Sequence, residues 1–142
     1  MSVKTKIILL TVACAIPAFL LGRVIWPDPM DAPQLAGIQI AGFMLIAALE
    51  ALAFGAGVSF ICFGRKLLRN APSARARHAR LAFSAIAWTL VSWWPHDNMH
   101  RANGMMNAWG LLRIEYIFHL TLIISAFIIA SYFIRTLRAR EE

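Results

Sequence analysis

Charged residues are scarce in this chain: they make up 15% of its 142 residues, whereas apolar residues make up 60%. Soluble globular domains carry about 25% charged residues, so the composition excludes an ordinary soluble domain. The apolar residues also form long blocks and do not alternate with polar ones. Because about 20 apolar residues in a helix cross a hydrocarbon core of about 30 Å, the sequence predicts an integral membrane protein.

Motifs of covalent catalysis and of cysteine chemistry are also missing. The chain has neither a Gly-x-Ser-x-Gly elbow nor a glycine-rich phosphate loop, which argues against acyl or phosphoryl transfer. Its two cysteines, Cys14 and Cys62, lie in different apolar blocks without a CxxC partner, and we expect them to pack as small apolar side chains. The sequence leaves open whether the protein is an enzyme.

Four apolar blocks predict four transmembrane helices, over about residues 7–26, 35–64, 78–94 and 109–135. No linker is long enough to separate two folded units, so residues 1–142 are expected to form a single domain, an all-α compact four-helix bundle. The first block follows two lysines and could instead be a signal peptide. Its apolar run continues past Cys14 to Leu21, which favours a membrane helix.

The basic residues predict the orientation of these helices. The chain has 14 Lys and Arg against 7 Asp and Glu, and eleven of the basic residues lie before the first block, between the second block and the start of the third, or at and after the end of the fourth. They are Lys4, Lys6, Arg65, Lys66, Arg69, Arg75, Arg77, Arg80, Arg135, Arg138 and Arg140. By the positive-inside rule, both termini and the middle connection are cytoplasmic. In a bacterium this describes a multi-pass protein of the inner membrane, with the other two connections facing outward.

The expected partners are lipids and other membrane helices. Base-reading motifs are lacking, so nucleic acid is not an expected partner despite the net charge of +7. The basic stretch 65–80 is suited to anionic lipid headgroups. Ala47, Ala51 and Gly55 are spaced four apart, and such a ridge of small residues lets a helix approach closely. That helix can come from the same bundle, from another membrane subunit or from a second copy in a homo-oligomer.

The most informative motif is a cluster of metal-ligating residue types after Pro95. Pro95 is predicted to end the third helix, so His96, Asp97 and His100 are expected in a loop at the outward face. Two histidines four positions apart share one face wherever the chain forms a helical turn. Met99 lies between them and is a possible auxiliary thioether ligand.

Two further metal-ligating residue types follow on the fourth helix. Glu115 and His119 are one turn apart and project from the same face. They lie close to the point where the chain re-enters the membrane, so the loop and the helix can place several donors around one ion, as a metal requires. We therefore expect a metal site formed by His96, Asp97, His100, Glu115 and His119.

Methionine placement indicates which metal such a site would hold. Four of the six methionines, Met30, Met99, Met105 and Met106, lie in the predicted outward loops. Thioether and imidazole donors together favour copper over magnesium or calcium. Zinc is the alternative ion, held by the histidines and one carboxylate. The sequence thus predicts a role in metal handling, or a cofactor-bearing subunit of a larger membrane complex.

Glu50 stands near the middle of the second block, with no Lys or Arg close to it on the same predicted helix. An ionisable group at that depth costs several kcal/mol unless it is paired, protonated or hydrated. Glu50 is a possible auxiliary ligand or the inner step of a proton path. Two alternative functions remain open: a structural accessory subunit, in which Glu115 only neutralises Arg101 or Arg113, and a small proton-coupled carrier that uses Glu50.

Overall fold

The computed structural model describes residues 1–30, 32, 36–69, 76–103 and 108–141, and the regular structure in these ranges is entirely helical. Side chains are described for the same residues except 66–69, 76 and 139–141. Helix α1 spans Val3–Ile25, α2 spans Ile38–Arg69 and α3 spans Ala76–Asn103. The last helical stretch consists of α4 (Ala108–Ile114), a π-helical segment (Glu115–Leu120) and α5 (Thr121–Glu141). We call Glu115–Leu120 the π segment. The expectation of an all-helical fold is confirmed over these ranges.

Within the described residues, three helical stretches are long and apolar enough to cross a membrane: Val3–Ile25, Ile38–Arg65 and Ala108–Arg138. Many of their large apolar side chains are exposed on the protein surface, as expected for helices surrounded by lipid tails. Helix α3 does not reach the same hydropathy, because it includes polar and charged residues near both of its ends. The three apolar stretches are consistent with a membrane protein.

Helix α1 has clear local reasons for its start and its end. The Ser2 hydroxyl accepts a hydrogen bond from the Thr5 N–H at 3.1 Å, which caps one of the N–H groups that a helix leaves without a partner. Pro17 lies inside the helix and does not end it. At the other end the Trp26 N–H donates to the Gly22 carbonyl at 3.0 Å, and Pro27 follows directly, which cannot donate a helical hydrogen bond.

The prediction that Pro95 ends the third helix is wrong. Helix α3 continues through Pro95 to Asn103, so residues 96–100 are helical and do not form a loop. A proline inside a helix costs about 3 kcal/mol, since one hydrogen bond is lost and the ring clashes with the preceding turn. The residues around it, Ser92, His96 and Asn98, are all buried. Around Pro95 the helix is therefore packed against its neighbours, and most helical stability in proteins comes from such packing.

Helix α3 lies at the centre of the fold. It packs against α2 on one side and against α4 and α5 on the other, and it also touches α1. Small residues such as Ala79, Ala82 and Ala85 are buried along it, which allows close helix packing. We call the end of the molecule with Trp26, His96 and Glu115 the upper end, and the end with Ser2, Arg65 and Arg135 the lower end.

Helices α1 and α2 pack closely through the ridge of small residues. Ala51 is buried, and a Cβ atom added at Gly55 would overlap the backbone of Thr11. The Ser59 hydroxyl reinforces the contact by donating to the Ile7 carbonyl at 3.1 Å. The ridge therefore serves contacts within the chain over this part of α2.

Candidate metal centre

Three imidazole rings converge at the upper end, between α3 and the π segment. His96, His100 and His119 each have a ring nitrogen that lies within 4.8 Å of the other two. Three nitrogens bound at about 2.0–2.1 Å to one ion lie about 3.3–3.6 Å apart in tetrahedral or trigonal geometry. The three rings, here called the histidine triad, therefore have to approach one another by no more than about 1.5 Å to hold one ion.

The helical path of the chain through Pro95 brings two of these rings together. His96 and His100 are one turn apart on α3, so their side chains lie on the same face, and their ring centroids are 4.7 Å apart. His119 comes from the facing π segment, with its ring centroid 4.7 Å from that of His96 and 5.7 Å from that of His100. A π-helical turn holds one extra residue and is frequent at functional sites.

Aromatic packing holds the π segment against α3. The ring of Phe118 lies 5.9 Å from that of Trp88, nearly parallel to it, and 5.1 Å from that of His96. The Trp88 indole N–H also donates to the Thr121 hydroxyl at 2.8 Å. Phe118 is not among the residues predicted for the site, because nothing in the sequence distinguishes it from exposed residues of the same helical stretch such as Phe127.

His96 is the buried member of the triad. It is 7% exposed, and its Nε2 atom has no hydrogen-bond partner among the described residues. A buried polar atom without a partner costs about 1–3 kcal/mol. Burial lowers the pKa of His96, and the neighbouring His100 and His119 lower it further against the opposing effect of Asp97 and Glu115. A neutral imidazole is the form that binds a metal.

Glu115 orients His119. Its carboxylate contacts the Nδ1 atom of His119 one turn further along the helix. When a carboxylate holds one ring nitrogen of a histidine, the tautomer and the ring orientation are fixed and the other nitrogen is left for a metal. Glu115 therefore supports the triad from outside, and it is not one of the three converging donors.

Asp97 and Glu50 belong to a different part of the molecule. Asp97 follows His96 directly, but one residue turns about 100° around a helix, and its carboxyl group interacts with that of Glu50 on α2. Together with Arg23 and Arg101 they line a cavity of about 240 Å³ between α1, α2 and α3. The structure thus brings three of the five expected ligands together and places Asp97, with the possible auxiliary Glu50, outside the triad.

The structure describes two of the four methionines expected in the outward loops, Met30 and Met99. Met99 is half-buried on α3, about 60° around the helix from His96. Met30 is fully exposed. Met105 and Met106 lie outside the described residues, as do positions 70–75 of the basic connection.

A second polar cluster ties α3 to the end of α1. Arg101 donates to the Trp26 carbonyl at 2.9 Å and to the Asn98 side-chain oxygen at 2.8 Å, and it pairs with Asp28. Asn98 in turn donates to the Trp94 carbonyl at 2.7 Å. We call these five residues the arginine clamp. Its presence means that the expected alternative pairing of Arg101 with Glu115 does not form.

Comparison with known proteins provides no relative for this site. No family model, curated protein or solved structure matches the chain.

Proposed function

We propose that this protein is a metal-binding membrane protein whose ion is held by His96, His100 and His119. Glu115 supports the site by fixing the orientation of His119. The observation that carries this proposal is the buried Nε2 atom of His96, which has no hydrogen-bond partner among the described residues and stands beside two other imidazoles. A bound metal ion would satisfy this atom and would remove the cost of its burial.

Copper is the ion that we propose for the site. Nitrogen donors bind Cu(II) more tightly than the other divalent metals of the first transition row, zinc included. Three histidines also form a known type of zinc site, with a fourth position open to water or a substrate, so zinc is the competing assignment. Carboxylate oxygens, which magnesium and calcium prefer, are not among the three converging donors.

The proposed membrane arrangement has four spans. Residues 78–94 of α3 form one span, and the other three are the apolar stretches named above. Helix α3 packs against α2 and against α5, so neighbouring helices cover part of its less apolar surface. Four spans in a compact bundle with cytoplasmic termini agree with the distribution of the basic residues. In a bacterial inner membrane the triad then lies towards the outward face, where the protein acts in metal handling or as the cofactor-bearing subunit of a larger complex.

The test is elemental analysis of the full chain purified in detergent and loaded with Cu(II) or with Zn(II) in separate samples. His100→Ala and His119→Ala are purified in parallel. His78→Ala is the matched control, because it removes the remaining histidine of the chain, which lies near the lower end. We expect close to one copper per chain in the wild type and in His78→Ala, and background copper in the other two variants.

Spectroscopy of the copper-loaded protein gives an independent readout. The electron paramagnetic resonance spectrum of Cu(II) is expected to contain nitrogen couplings from imidazole, and these should weaken when one triad histidine is replaced. Equal background metal in all four proteins would contradict the proposal and would favour a structural accessory subunit. Stoichiometric zinc with no retained copper would keep the site and overturn the choice of ion.

A further inference from the structure

A second cavity lies near the lower end, between α3 and α5. It has a volume of about 220 Å³ and combines a polar part with an apolar wall. The polar part is formed by His78, Ser131, Tyr132 and Arg135, and the apolar wall includes Leu81 and Phe127. The histidine triad and Glu50 do not line it, so this cavity is separate from the proposed metal site.

Arg135 gives the cavity its positive charge. Its guanidinium donates to the Nε2 atom of His78 at 2.9 Å, and a guanidinium has four further N–H donors. No carboxylate of the described residues lies within ion-pair distance of Arg135. Among the described side chains no carboxylate neutralises this charge, so it can attract an anion from outside the chain.

Tyr132, which lines the cavity, has a buried hydroxyl group. Tyr132 is only 7% exposed, and its hydroxyl has no hydrogen-bond partner among the described residues. A buried hydroxyl without a partner is unfavourable, and a ligand oxygen in the cavity can accept a hydrogen bond from it. This hydroxyl and the Arg135 side chain provide donors of the type that phosphate oxygens bind.

The position of the cavity along the helix points to a lipid. The apolar stretch that can cross a membrane ends at Arg138, so Arg135 is in its last turn, at the level of the headgroups. Phe127 lies eight residues earlier, about 12 Å deeper at 1.5 Å per residue, and both Phe127 and Leu81 are exposed. Polar donors at the headgroup level and an exposed apolar wall below them match a phosphate with an acyl chain attached.

We propose that this cavity binds the phosphate group of an anionic phospholipid. Arg135 and the Tyr132 hydroxyl donate to the phosphate oxygens, and an acyl chain lies along Leu81 and Phe127. Basic pockets between membrane helices bind lipid headgroups by this chemistry. Free inorganic phosphate offers the same oxygens but nothing to cover the apolar wall.

The experiment measures lipid retained by the full chain in native mass spectrometry after exchange into detergent with equal phosphatidylglycerol and phosphatidylcholine. We expect the wild type to retain phosphatidylglycerol preferentially. Arg135→Gln should lower its retention about tenfold, the effect of losing a charge-assisted hydrogen bond. Arg138→Gln removes the same charge one turn away, outside the cavity, and should retain the lipid as the wild type does.

Two further measurements test whether the Tyr132 hydroxyl contacts the ligand and whether the phosphate belongs to a lipid or is free. Tyr132→Phe should lower retention several-fold, whereas Tyr116→Phe, which changes an exposed tyrosine on the π segment, should not. Inorganic phosphate alone, added in excess, should leave lipid retention unchanged.

Equal retention in the wild type, Arg135→Gln and Tyr132→Phe would exclude binding at this cavity. Displacement of the lipid by inorganic phosphate would assign the cavity to the free anion. Copper content, measured on the same samples, reports folding at the upper end and should be the same in all variants.

Discussion

Helix α3 carries two polar faces over the same two turns, and they differ in how their hydrogen-bonding groups are satisfied. On the face towards α1, the polar groups of Trp94, Asn98 and Arg101 have partners within the protein. On the face towards the π segment, His96 and His100 stand beside His119, and the Nε2 atom of His96 has no hydrogen-bond partner among the described residues. The three α3 side chains on the first face thus have partners, whereas on the second face the Nε2 atom of His96 has none among the described residues.

This difference separates a structural role from a binding role. A buried polar group with partners fixes how two helices meet, as the arginine clamp fixes α1 against α3. A buried polar group without partners is costly and is retained where a ligand supplies the missing interaction. Substitutions on the two faces should therefore affect different measurements.

The largest effect is expected from His96→Ala on the triad face. Loss of a direct ligand should lower copper affinity more than the roughly 10–100-fold that follows loss of a supporting residue. The matched variant is Asn98→Ala, which changes a buried residue of the clamp on the same helix. It should lower the melting temperature and keep copper at the wild-type level, as measured by elemental analysis and thermal unfolding. Loss of copper in both variants would mean that the two faces act as one unit.

Glu115→Gln should have the next largest effect, confined to the triad. The amide cannot hold the His119 ring as a carboxylate does, so copper affinity should fall about 10–100-fold. Competition with a chelator measures this change. Arg113→Gln, an exposed change of charge two residues away, is the control and should leave the affinity unaltered. An unchanged affinity in Glu115→Gln would show that His119 is oriented by packing alone.

Arg101→Gln should have the opposite effect to the triad variants: it should lower stability and leave copper binding unchanged. It removes charge-assisted hydrogen bonds to Asp28, Asn98 and the Trp26 carbonyl, and we expect the free energy of unfolding to fall by about 1–3 kcal/mol. Copper binding to the folded protein should not change. Thermal unfolding of the metal-free protein and copper titration at low temperature distinguish the two quantities. A fall in copper affinity without a fall in stability would place Arg101 in the metal site.

The smallest effect is expected from Glu50→Gln. Glu50 faces Asp97 in the cavity between α1, α2 and α3, and an amide in its place can donate to that carboxylate. We expect a change of less than about 1 kcal/mol in the free energy of unfolding, with full copper content. Loss of copper in this variant would show that the cavity around Glu50 contributes to metal binding at the triad. Abolished proton-coupled transport in liposomes with copper retained would instead support the carrier alternative.

The helices and the pairing of histidines on one face could be predicted from the sequence, because hydropathy and the spacing of residues on a helix are local properties. The length of α3 could not be predicted, since its continuation through Pro95 depends on packing from both sides. The direction of Asp97 follows from that length, because on a helix Asp97 lies about 100° around the axis from His96, where it meets the carboxyl group of Glu50. The π segment gives no sequence signal, because its residues are ordinary for an apolar helix.

The π segment also makes the direction of His119 depend on chain length as well as on residue type. Each residue added to or removed from a helix turns everything that follows by about 100°, and the segment Glu115–Leu120 accommodates one residue more than a regular turn would. Deletion of one residue there other than His119 would remove the extra residue and leave a regular turn, so all three histidines would remain in the sequence while His119 would point in a different direction. In relatives of this chain, conservation of the three histidines would therefore indicate the same site only where the spacing between His100 and His119 can also be accommodated.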